Sequence, residues 1–347
     1  MAYSKCVTLD TASLLWFKAS NSYVLVSEKI KQLIDSYLNG DETLDELLTQ
    51  ELKAFLAQCK TPRTHSEIIT ELPTITSAIS TYFQIADKCI RVDFDKECYP
   101  LFYPMIQSYA VEERAAVDAF FSISKRADVI SITDDGENSY SNTIDHIRTL
   151  FGKFNYFLLR KVHEINGDLT ATLHGSAAII NDTPLLFMGK SGSGKSTFAA
   201  LLALNGYSFI SDDMIPFDGK ANKMYWNPSQ PSIKIGSREI IRQFEASFEI
   251  DRSKEIQYLA LNAPKQTWVH MSKKVVLIKY DADADAETTI SKATAEEVAQ
   301  ILIEDSWICA DETHASYFLS WLESIEAYHL RYSNFESAVE ALKSNLC

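Results

Sequence analysis

Apolar and polar positions along this chain change period several times. Short alternating or fully apolar runs at Lys5 to Leu9, Ser13 to Phe17 and Tyr23 to Val26 predict three strands. Ser27 then stands where a helix N-cap is needed, and Ile30, Leu33, Ile34 and Leu38 fall on one helical face that Asn39-Gly40 should end. Thr43 with Glu46 reads as a capping box for a helix carrying Leu44, Leu47, Leu48, Leu52 and Phe55. Residues 61–76, with Pro62 and Pro73, read as a linker.

From Tyr82 the pattern is strand-like, with segments expected at Cys89 to Phe94, Leu101 to Tyr109, Phe120 to Ser124 and Val129 to Thr133, and a turn at Asp134-Asp135-Gly136. Ile144 to Ile165 has helical spacing, and its aromatics, Phe151, Phe154 and Phe157, read as core. Ala171 to Ile180 predicts one strand, Leu185 to Met188 a buried one and Tyr207 to Ser211 another. A proline turn follows at Asn227 to Pro231, and Lys234 to Phe244 is expected to be partly helical. Further on, Lys274 to Tyr280 and Tyr328 to Tyr332 predict strands. Helices are expected after Thr294, over Ala315 to Ile325 and over Phe335 to Leu346. Strands alternating with helices in this half imply an α/β core.

Composition narrows the classes. The 347 residues allow two domains, and 46% hydrophobic with 23% charged residues is the balance of a globular protein. A net charge of −14 argues against non-specific nucleic-acid or anionic-membrane binding. Six cysteines without a C-x-x-C pair, no signal-peptide pattern and no long apolar run predict a reducing, cytoplasmic setting. Of 11 glycines, six fall between Gly167 and Gly206, which concentrates backbone freedom around one region.

That region holds the chemistry. Gly189-Lys190-Ser191-Gly192-Ser193-Gly194-Lys195-Ser196 fits G-x-x-x-x-G-K-S/T, between an apolar strand and an Ala- and Leu-rich helix closed by Gly206. Such a loop turns backbone N–H groups and a helix N-terminus onto phosphate oxygens. Lys195 would meet the outer phosphates, Ser196 would offer a ligand to Mg²⁺, and Thr197 continues the helix start. Asp212-Asp213 follow Lys195 by 17 and 18 residues, at the end of a strand expected to lie beside the pre-loop strand. One carboxylate can hold Mg²⁺ while the other accepts a proton from an attacking hydroxyl. His174, 15 residues before Gly189, should return near the phosphates in a hairpin.

Other signals fail. Asp281, Asp283 and Asp285 begin like a calcium loop, but Ala286 and Lys292 stand where Gly and Glu are required. The seven histidines show no H-E-x-x-H or zinc spacing, and Gly175-Ser176 does not belong to a G-x-S-x-G elbow.

Two resemblances follow. His174-Gly175, the glycine loop through Gly194-Lys195-Ser196-Thr197, Gly206 and Asp212-Asp213 together resemble the catalytic half of HPr kinase/phosphorylase, well over residues 165–220 and in general layout to 347. The resemblance implies an α/β P-loop, PEP-carboxykinase-like core that uses ATP and Mg²⁺ to phosphorylate a serine hydroxyl of a peptide or small protein. The loop residues Gly189, Ser191, Gly192, Ser193, Gly194, Lys195, Ser196 and Thr197 would bind nucleotide. It assigns Mg²⁺ to Ser196 and Asp213, the general base to Asp212 and a pocket role to His174, while the residues alone leave the two aspartates interchangeable. It also leaves a homo-oligomer open. Departing from the family, Asn227 to Ile235 lacks its second glycine-rich signature, which is tied to phosphorolysis. This stretch looks more like the related kinases of lasso-peptide and other ribosomal-peptide modification clusters. Lys234 or Arg238 would supply an extra cation there.

The first 88 residues resemble PqqD-like domains, small α+β winged-helix modules that grip precursor peptides by strand addition. The expected organisation is therefore a peptide-recognition domain over 1–88 and a catalytic domain over 89–347. A kinase of a small molecule such as free serine, and a nucleotide-gated peptide-binding protein without phosphotransfer, are the alternatives.

Overall fold

The computed structural model describes residues 3–39, 50–59, 61, 78–114, 116–135, 138–245, 247–264, 266–281 and 287–347. The expected capping box at Thr43 and Glu46, nearly all of the 61–76 linker, and Gly136, Asp283, Asp285 and Ala286 lie outside those residues.

Strands Lys5–Thr8, Ala12–Phe17 and Ser22–Ser27 form an antiparallel three-stranded sheet. Helix Glu28–Leu38 follows, capped as expected by Ser27, whose hydroxyl accepts from Ile30 N–H at 3.4 Å. The middle strand is buried on both faces, because alternate side chains serve different cores. Leu15 and Phe17 pack with Ile34, Leu56 and Cys59 in a small local core. Leu14 and Trp16 point the other way, with Tyr23, into the main core, where the Tyr23 and Phe318 rings meet edge to face at 5.4 Å. Glu296 Oε1 accepts from Ala12 N–H at 3.1 Å, and Asn21 Nδ2 donates to Ile308 O at 2.8 Å. The N-terminal sheet is thus part of the body that carries the P-loop.

A second sheet has six strands in the order Ala110–Val111, Ala78–Ile85, Lys88–Asp95, Ala119–Arg126, Val129–Asp134, Asn138–Thr143, and helix Ile147–Val162 covers it. A division at residue 88 would cut the hairpin in which Ile85 pairs with Lys88. The strand expected over Leu101 to Tyr109 is instead three helical turns, Tyr99–Phe102, Tyr103–Met105 and Gln107–Tyr109. Pro100 and Pro104 explain it: each lacks the N–H a ladder needs, and each fits the first turn of a helix.

The third sheet carries the loop. Its order is Ser208–Ser211, Ser176–Ile180, Thr183–Met188, Lys274–Tyr280, Glu326–Tyr332, Thr289–Lys292. Thr183–Met188 runs parallel to Lys274–Tyr280, and that strand parallel to Glu326–Tyr332. Helices Lys195–Leu204 and Phe335–Leu346 cover one face through Phe198, Leu202, Val339 and Leu342. The other face packs on a five-stranded sheet, Trp268–His270, Lys223–Tyr225, Ile215–Asp218, Ala171–Leu173, Trp307–Ile308, and on helices Ala295–Asp305 and Glu312–Glu323. Thr294 caps Ala295–Asp305 in a full capping box with Glu297.

Two expectations about this region are corrected. The continuous strand Ala171 to Ile180 is broken at His174-Gly175: Ala171–Leu173 lies in the five-stranded sheet and Ser176–Ile180 in the six-stranded one. A Cβ on Gly175 would stand 2.7 Å from Phe187 O, so the chain can cross between sheets there only because that position is glycine. Nor does the aspartate strand lie beside the pre-loop strand. Ser208–Ser211 pairs with Ser176–Ile180, which intervenes because the hairpin Ser176 to Met188 supplies both inner strands. Asp212-Asp213 also sit at a crossing, between Ser208–Ser211 and Ile215–Asp218.

Candidate active site

Both crossings open onto the phosphate loop. Gly189, Gly192 and Gly194 have φ of +145°, +86° and +100°, backbone regions closed or costly to other residues. At Gly194 a Cβ would meet Tyr280 Cβ at 3.2 Å and Tyr332 Oη at 3.3 Å. Ser193 N–H donates to Lys190 O at 3.1 Å and closes the turn. The first N–H groups of helix Lys195–Leu204 have no intrahelical acceptor and are aimed at the loop's concave side.

Lys195 is 7% exposed, and its Nζ donates to Gly189 O at 2.7 Å and Lys190 O at 3.3 Å. Burial pushes its pKa down, and the charges of Asp212 and Asp213 push it back up. The lysine is thus folded over its own loop, with neutral carbonyls as partners.

The two aspartates differ sharply. Asp212 is 3% exposed. Its Oδ1 accepts from Ser176 Oγ at 2.7 Å, and its Oδ2 from Ser232 N–H at 3.1 Å. Burial raises its pKa, as does the charge of Asp213, against the hydrogen-bonding influence of Ser176, Ser196 and Ser232. The Asp213 side chain is 77% exposed, and its Oδ1 lies 3.5 Å from His174 Nδ1. Its φ of +65° turns it away from the strand direction and outward. His174 is held through its backbone, whose N–H donates to Ser306 Oγ at 2.9 Å.

Loop, aspartates and His174 line one cavity of about 260 Å³. No family model matches the chain, and no curated protein matches it. Among solved structures, the HPr(Ser) kinase/phosphatase from Coxiella burnetii is similar at 12% identity, over 50% of this chain and 94% of that one, with a TM-score of 0.25. A score that low carries no argument, so the reading of the site rests on its own geometry.

The cavity has walls the sequence did not disclose. Ser176 and Ser232, the partners of Asp212, carried no motif; Ser232 lies in the stretch after Asn227 that lacks the family's glycines. Lys234 Nζ reaches Ser191 Oγ at 3.3 Å on the cavity rim. Arg238 does not join it: fully buried, its guanidinium donates to the carbonyls of Asp251, Lys254 and Glu255, each at 2.8 Å. Of the two cations expected there, Lys234 is thus the one that stands on the cavity. The opposite wall is one face of helix Ile147–Val162, with Arg148, Phe151, Gly152 and Asn155 at helical spacing. Phe154 and Phe157 are core, as expected, and Phe151, partly buried against that same core, also lines the cavity. Tyr258 closes it, its phenol pushed up to about 12 by burial and by the charges of Asp213 and Asp212.

The residues present fit a nucleotide with its metal. The Lys195 and Lys234 ammonium groups and the Ser191 and Ser196 hydroxyls that line the cavity are the donor set that phosphate oxygens and a bound cation require. Among the described residues no group of three or more His, Cys, Asp or Glu side chains is arranged to hold a metal ion by itself, so a cation beside Ser196 would take further ligands from phosphate oxygens and water. No helix among the described residues is long and apolar enough to cross a membrane.

Proposed function

We propose that this protein transfers the γ-phosphoryl group of ATP to a serine hydroxyl on a peptide or small protein. The observation that carries the reading is the asymmetric aspartate pair on the rim of a phosphate loop, one carboxylate buried and bonded, the other exposed beside a histidine. Simple nucleotide binding does not need the second.

The loop N–H groups and Lys195 would take the phosphates, with Lys195 exchanging carbonyl partners for phosphate oxygens. Ser196 and Asp212 would hold Mg²⁺, since the Ser196 hydroxyl bears on Asp212. When bound, that ion draws negative charge from the transferring phosphoryl oxygens. Asp213 is then the base. The acceptor hydroxyl oxygen bonds to the γ-phosphorus, the bond to the β,γ-bridging oxygen breaks, ADP leaves, and the hydroxyl proton goes to Asp213, with His174 Nδ1 3.5 Å away to share it. This exchanges the two aspartate roles implied by the family resemblance. The peptide half of the reading draws on the likeness of the first 88 residues to leader-binding modules; a peptide would add as a strand to the edge of the Lys5 to Ser27 sheet.

Kinetics separate the roles. Asp213→Asn should keep Mg²⁺-dependent ATP binding while kcat drops by ~10²–10⁴. Asp212→Asn and Ser196→Ala should lose the Mg²⁺ dependence of binding itself. The opposite pattern would return the base to Asp212.

A further inference from the structure

A short two-stranded ribbon, Ser232–Lys234 against Ile256–Tyr258, forms one wall of the phosphate-loop cavity. Its register sets Ser232 opposite Tyr258 and Lys234 opposite Ile256. Directly opposed residues of an antiparallel pair share a face, and every second residue returns to it. One face of the ribbon therefore carries Ser232, Tyr258, Lys234 and Ile256, and all four line the cavity. The other face turns away: Ile233 is fully buried, and the Gln257 amide bonds Asp251 N–H and Glu249 O.

The two rows of the cavity face meet different neighbours. In one row, Lys234 Nζ stands 3.3 Å from Ser191 Oγ on the phosphate loop. In the other, Ser232 reaches Asp212 Oδ2 through its N–H at 3.1 Å and its Oγ at 3.4 Å. Tyr258, beside Ser232, is thus at the aspartate end. Electrostatics agree: burial first, then the charges of Asp213 and Asp212, hold the proton on its phenol. The ring packs against the core under helix Ile147–Val162, which fixes it. Among the described residues its hydroxyl makes no hydrogen bond, and it is not one of the sealed oxygens. A phenol that stays protonated near two carboxylates, bonded to neither, is a donor free for another anion. The anion that passes between this loop and these aspartates is the phosphoryl group.

We propose that Tyr258 is a further catalytic residue: its hydroxyl donates a hydrogen bond to a non-bridging oxygen of the γ-phosphoryl group as that group leaves the loop for the acceptor. The inference rests on the phosphotransfer reading. Before transfer, the phosphates lie against the loop N–H groups and Lys195; during transfer, the phosphoryl group moves toward Asp213 and so toward Tyr258. A bond that tightens only then raises kcat rather than nucleotide affinity.

The test uses the full chain and Tyr258→Phe, which keeps the ring and its packing. Calorimetric titration with Mg²⁺ measures the affinity for ADP alone, for a non-hydrolysable ATP analogue, and for ADP with aluminium fluoride, which mimics the phosphoryl group in transit. Wild type should bind ADP at least ~tenfold tighter with aluminium fluoride than without. The variant should lose ~10–100-fold in the fluoride complex alone, with ADP and analogue affinities and thermal stability unchanged. Its kcat should fall by the same factor at unchanged KM for ATP. Tyr258→Met, also without the hydroxyl, should behave alike and replaces the first variant should phenylalanine misfold. An equal loss for ADP and for the fluoride complex, no loss in either, or no gain from fluoride in the wild type overturns the proposal. Transfer is followed separately by intact mass. If the hydroxyl matters to the fluoride complex but no acceptor gains phosphate, the kinase reading falls and Tyr258 keeps its role toward water as acceptor; if transfer occurs equally fast in Tyr258→Phe, the kinase reading stands and this assignment falls.

Discussion

Replacing Asp212 with asparagine should stabilise the fold while removing activity. The carboxylate is almost wholly buried, and burial is the largest influence raising its pKa. In the unfolded chain an aspartate titrates near pH 3.9. Between that value and its higher folded one, the native state holds a proton that the unfolded chain has lost, so stability falls as pH rises through this window. The charge is therefore a cost near neutral pH. Asparagine keeps the geometry: its oxygen can accept from Ser232 N–H and its amide can donate to Ser176 Oγ, the two groups now 3.1 and 2.7 Å from the carboxylate. With both bonds retained and the buried charge gone, the gain should be ~1–3 kcal/mol near neutral pH, the scale set by mutational data on buried polar groups. Urea unfolding of both proteins at several values from about pH 3 to about pH 8, starting below the unfolded aspartate's own titration, measures it. The difference should widen with pH. A variant less stable than wild type near neutral pH, or a gain that does not change with pH, would refute the claim that Asp212 is held against its solvation preference.

Three further outcomes follow from the same geometry. Gly175→Ala drives a Cβ to within 2.7 Å of Phe187 O and should cost ~1–3 kcal/mol or more in urea unfolding, with turnover falling further because His174 moves with it. Arg238→Met leaves the carbonyls of Asp251, Lys254 and Glu255 without their donor and should cost at least ~3 kcal/mol; limited proteolysis should find new cleavage near residues 251–258. Mg²⁺ with ATP at about a hundred times its Kd should add ~2.7 kcal/mol to wild-type stability, and much less to Lys195→Ala, as read by thermal shift.

Much of the half that carries the glycine loop was legible because its signals are local. The glycine loop needs φ values that few other residues adopt, and the apolar run Val275 to Ile278 has little choice but a buried strand. Thr294 and Glu297 announce their helix by a side-chain pattern four residues long. What stayed hidden depends on tertiary packing. The run Ala171 to Ile180 has the pattern of one strand, and only the stacking of two sheets makes it cross at Gly175. Ser176 and Ser232 are unremarkable until folding brings the Asp212 carboxylate between them. The distinction between Asp212 and Asp213 lies in burial and in a left-handed backbone turn, neither of which adjacent identical residues can display.

Removing the N-terminal sheet would take Leu14, Trp16 and Tyr23 out of the main core, so its loss would unsettle the fold as well as any peptide grip. A more direct measurement is intact-mass analysis of serine-containing peptides incubated with ATP, Mg²⁺ and the full chain. Wild type should add one phosphate at serine, Lys195→Ala should add none, and Asp213→Asn should be slowed by ~10²–10⁴. Equal labelling by wild type and Lys195→Ala, or ATP consumed with no phosphate appearing on any acceptor, would contradict the assignment of this site to phosphoryl transfer.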